Sequence, residues 1–219
     1  YAPALTNLGS LEMDSGNKQE AISLLIKATE ADPQLAAAWI NLARAHIQLD
    51  QTNEAEIACL KSIELNPNLF NSHFLLASVL IKQRKLQEAE QSLRKTIELN
   101  PNLLQANLNL GIVLQDLGNF KDSEIFIRKS IELNPNLFNS HFLLGTILIG
   151  QKKLKEAEKP LRKTIAIKPD FFQAYSNLGA VLKDLGKLQE AELSYRKAIE
   201  INADYAEAHS NLGALLKDL

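Results

Sequence analysis

The chain has 219 residues, 46% hydrophobic and 23% charged, with a single cysteine and a formal net charge of -2. Its 24 Lys and Arg nearly balance 26 Asp and Glu, so no global positive field draws in nucleic acid or an anionic membrane. Cys59 alone excludes an intramolecular disulfide and a multi-cysteine metal site, and the longest apolar stretch, around Phe142 to Ile149, is far below the roughly 20 residues a membrane-spanning helix needs.

Pro33, Pro67, Pro101, Pro135 and Pro169 each stand 34 residues after the last, and a fixed period of this length marks stacked supersecondary units. With each proline at position 32, the units are 2–35, 36–69, 70–103, 104–137, 138–171 and 172–205, with a partial seventh at 206–219, in one array over 1–219. Position 7 is leucine throughout, from Leu8 to Leu212. Position 8 is always small: Gly9, Ala43, Ala77, Gly111, Gly145, Gly179 and Gly213. Position 24 carries a bulkier apolar residue such as Leu25, Leu93, Ile127 or Tyr195. Small residues let helices approach, and large ones fill the space that remains.

Each unit reads as two helices, A over about positions 2 to 14 and B over about 18 to 30. In chain order, the first, fourth and sixth A helices run into Gly16, Gly118 and Gly186, where a left-handed C-terminal cap favours glycine. The third and fifth place Arg84 and Lys152 there, which predicts a less comfortable turn. The second, third and fourth B helices end in Leu-Asn-Pro-Asn elements at 65–68, 99–102 and 133–136, where proline stops the helix. Pro160 instead lies inside the fifth B helix, which predicts a kink and a cost of about 3 kcal/mol. A longer period overlies the first, because residues 66–76 recur unchanged at 134–144.

The Leu-Gly pair, the small residues, the large apolar residue and the closing proline resemble the tetratricopeptide repeat, or TPR. Position 4 departs from its aromatic pattern except at Trp39 and Tyr175, and Ala203 replaces the sixth proline. The resemblance implies an all-α fold, a right-handed superhelix of helix-turn-helix repeats (an α-solenoid), whose A helices line a concave groove with positions 2, 5, 6, 9, 12 and 13. On that surface, position 6 is Asn7, Asn41, Asn109, Asn177 and Asn211, interrupted by Leu75 and Leu143. Asparagine is not favoured within a helix, yet it offers one acceptor and two donors. The ladder resembles the one lining the TPR arm of O-GlcNAc transferase. Two roles stay open for it: clasping the backbone of an extended peptide, or bridging neighbouring A helices.

Phe74 and Phe142 at position 5, with Leu75, Leu143, Leu108 and Ile112, place an apolar middle in this groove. The expected ligand is a protein or peptide segment, extended or helical, with apolar anchors. The carboxylate clamp of TPR co-chaperones is missing, since neither position 5 nor position 2 holds a lysine.

Nothing in the sequence assembles catalytic chemistry. His73, His141 and His209 share position 4, two repeats apart, and read as packing residues; His46 has no partner at metal-ligand spacing. Repeat phase accounts for the glycines, and no phosphate loop, nucleophile elbow or zinc-binding helix motif occurs. The expectation is a cytoplasmic, non-enzymatic scaffold with no catalytic residue, metal or cofactor. Because the chain starts at a repeat junction and stops inside a unit, a substrate-recognition arm of a larger enzyme is the alternative. Self-association through the unfinished seventh unit, around Leu212 and Leu216, is a further one.

Overall fold

The computed structural model describes residues 1–218, whose regular structure is helical throughout. The helices come in pairs: α1 (Ala2–Asp14) and α2 (Lys18–Ala31), α3 (Ala36–Gln48) and α4 (Thr52–Leu65), α5 (Phe70–Lys82) and α6 (Leu86–Leu99), α7 (Leu104–Asp116) and α8 (Phe120–Leu133). After them come α9 (Phe138–Gly150) and α10 (Leu154–Ile167), α11 (Phe172–Asp184) and α12 (Leu188–Ile201), and finally α13 (Ala206–Asp218). The fold is the expected all-α helical repeat, and each observed helix begins and ends within about one residue of its expected bounds.

Two local devices set these bounds. Between the first and second helix of a unit, position 15 always takes a left-handed backbone: φ is 87°, 78° and 77° at Gly16, Gly118 and Gly186, and about 61–62° at Asp50, Arg84 and Lys152. The turn returns two amides to the helix it closes, as in Arg84 N–H to the Ile81 carbonyl (3.1 Å) and Lys85 N–H to the Leu80 carbonyl (2.9 Å). Between units, the residue before the proline leaves the helix in extended backbone. Its side chain accepts from the amide two residues on, at 3.0 Å for Asp32 and 3.1 Å for both Asn66 and Asn134. This side-chain turn favours Asp or Asn before the proline at these three junctions, while Lys168 precedes Pro169 without it.

The chain divides into two compact units, Tyr1–Val113 and Leu114–Leu219. In the first, α1 packs on α2, α3 on α4 and α5 on α6, while α2–α3 and α4–α5 join successive repeats. In the second, α9 packs on α10 and α11 on α12, joined through α8–α9, α10–α11 and α12–α13. In α1–α2, α9–α10 and α11–α12, position 24 is driven against position 8. A methyl added at Gly9 would lie 2.7 Å from Leu25, at Gly145 2.7 Å from Leu161, and at Gly179 2.7 Å from the Tyr195 ring. Leu25, Leu93, Ile127, Leu161 and Tyr195 are accordingly buried, none more than 1% exposed.

Cys59 holds the same position and is fully buried, and burial, with a smaller push from Glu56, raises its thiol pKa to about 12. Since the thiolate is the nucleophile, alkylation at neutral pH is expected to proceed only as fast as the protein opens. Stoichiometric labelling of the folded chain within the mixing time would contradict that placement.

Polar contacts stitch repeats together on the surface. Lys85 reaches Glu56 of the preceding repeat at 2.9 Å, Lys153 reaches Glu124 at 3.1 Å and Lys187 reaches Glu158 at 2.8 Å, each at the same register. The lysine hydrogen bonds hold the Glu56 and Glu158 carboxyls below the usual carboxylate range. Pro160 is buried on α10 without shortening or interrupting it, for α10 keeps the 14 residues of α6 and α12. No helix among the described residues is long and apolar enough to cross a membrane.

Candidate functional site

In the first compact unit, α1 lies beside α3 and α3 beside α5, which sets their position-6 residues along one face. Asn7 is exposed there, and Asn41, Leu75 and Asn109 are half-buried. Asn109 and Ile112 of α7 meet Ser78 and Ile81 of α5 around a depression of about 230 Å³. Ser78 and Ile81 stand at positions 9 and 12, so the same register that placed the asparagines could have found them. Phe74 is half-buried. Leu108, expected to line the groove, is buried, with 7% exposure.

In the second unit, Phe142 and Leu143 on α9, Asn177 on α11 and Asn211 on α13 are all half-buried. Phe142 stands edge-on to Phe171, with ring centroids 4.9 Å apart, and Phe138 meets the same ring at 5.3 Å. Lys168 caps the cluster, 4.7 Å above Phe138. Phe74 has Leu103 where Phe142 has Phe171, so two copies of one eleven-residue sequence sit in different surroundings. Leu212 is half-buried and Leu216 is 47% exposed on α13.

The amides of the ladder are unspent. Among the described residues, none of the side chains of Asn7, Asn41, Asn109, Asn177 and Asn211 makes a hydrogen bond to another protein group. Bridging between first helices, one of the two roles open in the sequence, is thus not made by these side chains.

The position-4 histidines are occupied elsewhere. His73 Nε2 lies 2.9 Å from the Pro67 carbonyl, His141 Nε2 2.9 Å from the Pro135 carbonyl and His209 Nε2 2.8 Å from the Ala203 carbonyl. Trp39 Nε1 donates to the Pro33 carbonyl at 3.0 Å, and Asn107 Nδ2 to the Pro101 carbonyl at 3.1 Å. The residues expected simply to pack are therefore clips, each side-chain N–H satisfying a turn carbonyl six residues upstream. The signal was present, since Trp, His and Asn share an N–H donor and little else. His46 Nδ1 pairs with Gln51 at 2.7 Å. Among the described residues, no group of three or more His, Cys, Asp or Glu side chains is placed to hold a metal ion.

Residues 2–168 match the family model of the Cilia and flagella-associated protein 70 C-terminal domain, and residues 181–219 match that of the TPR repeat. Among solved structures, the chain is similar to YrrB, described as a TPR protein with an unusual peptide-binding site. The TM-score is 0.81 at 22% identity, over 89% of this chain and 98% of that one. It is also similar to Pseudomonas aeruginosa pilF (TM-score 0.77, 19% identity, 97% of both chains) and to MamA (0.72, 21%, 77% of this chain and 92% of that one). At these identities the likeness is one of fold. No curated protein matches the sequence. The repeat register, the paired helices and the match over residues 2–168 agree, and the chain belongs to the tetratricopeptide-repeat family described by that C-terminal domain.

Proposed function

We propose that this chain is a non-catalytic scaffold that binds a protein segment along the face that the first helices of the repeats form within a compact unit. The observation that carries this reading is that Asn7, Asn41 and Asn109 of the first compact unit, and Asn177 and Asn211 of the second, have side-chain amides that bond to no protein group. Helix interiors disfavour asparagine, so a ladder of it that serves no internal bond is best accounted for by an external one. An extended backbone presents alternating N–H and C=O groups, which an amide matches with both its donor and its acceptor. Ile81 and Ile112 line the depression at Asn109, and Phe74 and Leu75 add half-buried apolar surface on α5, where apolar side chains of the ligand would rest. A structural relative carrying a peptide-binding site supports a ligand of this class.

The test is affinity capture by the intact chain followed by mass spectrometry, run against the Asn41→Ala/Asn109→Ala variant. Each amide is worth about 1 kcal/mol in net hydrogen bonding, so the double variant should weaken capture about tenfold or more. Both side chains are solvent-facing, and circular dichroism should show an unaltered helical fold. Undiminished recovery of the same partners would remove the ladder from the binding role.

A further inference from the structure

The second compact unit carries a surface feature on its second-helix side that the asparagine face does not explain. A groove of about 900 Å³ lies between α8 and α10, floored by Ile131, Leu144, Leu148 and Pro160 and rimmed by Lys155, Lys159 and Lys163. One repeat further on, between α10 and α12, the groove in the same register holds only about 320 Å³, with Leu193 and Ser194 in place of Lys159 and Pro160.

Charge singles out the same helix. Lysine recurs at the register of Lys163, and in four other repeats it is held by a glutamate three residues on: Lys61–Glu64 at 2.9 Å, Lys95–Glu98 at 2.8 Å, Lys129–Glu132 at 3.1 Å and Lys197–Glu200 at 2.6 Å. In α10 that glutamate is Ala166. Lys155, Lys159 and Lys163 are all exposed, and among the described residues none of them has an ion-pair or hydrogen-bond partner. Arg128 and Arg162, also on the groove, are held by Glu124, Glu158 and Glu190. Glu132, the other carboxylate on the groove, is paired with Lys129, so the unpaired charge facing it is three lysines against Glu156. Of the second helices, α10 alone has more basic than acidic residues, in a chain of net charge -2.

We infer that this groove docks an acidic, amphipathic segment of another polypeptide, with an apolar side chain on the Ile131–Pro160 floor and carboxylates on the lysine rim. The spacing suits it. Lysines four residues apart on one helix recur about every 6 Å along its axis, the repeat of carboxylates four apart on a facing helix. Pro160 contributes a second feature: lacking an N–H, it leaves the Glu156 carbonyl without the amide that would otherwise close that helical turn. A nucleic acid would find one basic helix, an apolar floor and an acidic remainder, which suits a peptide better.

The experiment is selection of a displayed random-peptide library on the intact chain, with affinities of the selected peptides read by fluorescence anisotropy. Peptides are expected that set Asp or Glu around an apolar residue. Their affinity should fall about tenfold or more on Lys155→Glu/Lys159→Glu/Lys163→Glu, as three exposed ion pairs are lost. It should weaken with salt and stay unchanged on Asn41→Ala/Asn109→Ala, which separates this surface from the asparagine face. Lys155→Gln/Lys159→Gln/Lys163→Gln, checked by circular dichroism, provides a variant without introduced repulsion and should show a smaller loss. Selected peptides without acidic bias, or indifferent to both lysine variants, would overturn the inference. So would a labelled single-stranded oligonucleotide held through these lysines more tightly than any selected peptide.

Discussion

Tyr195→Ala is expected to destabilise the protein by about 3–5 kcal/mol, the range for removing a large aromatic side chain from a packed core. Tyr195 is 1% exposed, and its ring lies so close to Gly179 that a methyl there would come within 2.7 Å of it. Truncation leaves a void at the α11–α12 contact that two rigid helices cannot close. The converse change, Gly179→Ala, gains helix propensity but forces the ring aside, with a net cost of about 1–2 kcal/mol. Repeat 3 supplies the rescue, for it combines Ala77 with Leu93 at the same two positions. On a Tyr195→Leu background Gly179→Ala should therefore cost much less, because a leucine can change rotamer where a ring cannot. Urea unfolding followed by circular dichroism measures all three, and hydrogen exchange should show the lost protection concentrated in α11 and α12. Equal costs for Gly179→Ala on both backgrounds would show that the 8–24 contact is not what limits packing.

Arg84→Gly and Lys152→Gly together should stabilise the protein by about 1–2 kcal/mol, although each removes a side chain. Both residues hold φ near 61–62° in turns where repeats 1, 4 and 6 have glycine. A left-handed backbone costs a residue with a Cβ roughly 1–2 kcal/mol, of which the greater freedom of glycine in the unfolded chain takes back part. Asp50 shares this conformation but is bound to Lys82, so its replacement would combine two effects and is a poorer probe. A rise in the urea midpoint with an unchanged slope is the expected reading. No rise would mean that these turns are relaxed despite their φ.

Much of the fold was legible because a 34-residue period repeats the same physical problem several times. One proline or one glycine is ambiguous, but five prolines in phase and leucine at every position 7 leave one helix-pair solution. The details that escaped are those in which a residue's partner lies in another helix. Leu108 and Leu143 read alike as apolar groove residues, yet the first is buried and the second half-buried, since neighbours decide how much of each is covered. Phe74 and Phe142 occupy identical eleven-residue segments, and only the later Phe171 gives Phe142 an aromatic partner. Pro160 predicts a kink inside α10 from its own chemistry, and α10 keeps the full 14 residues of α6 and α12 around it. Tertiary burial of Ala157, Leu161 and Thr164 on either side outweighs one missing hydrogen bond.

By itself the sequence determined the repeat register and where each helix begins and ends, because those follow from spacing along one chain. Only the tertiary structure decided which polar groups were already spent. It tied the position-4 histidines to turn carbonyls, left the position-6 asparagines and three lysines of α10 without protein partners, and opened a groove beside those lysines. Hydrogen bonds and ion pairs are satisfied across space, between side chains about 30 residues apart such as Glu56 and Lys85, and spacing along a chain does not fix which groups meet.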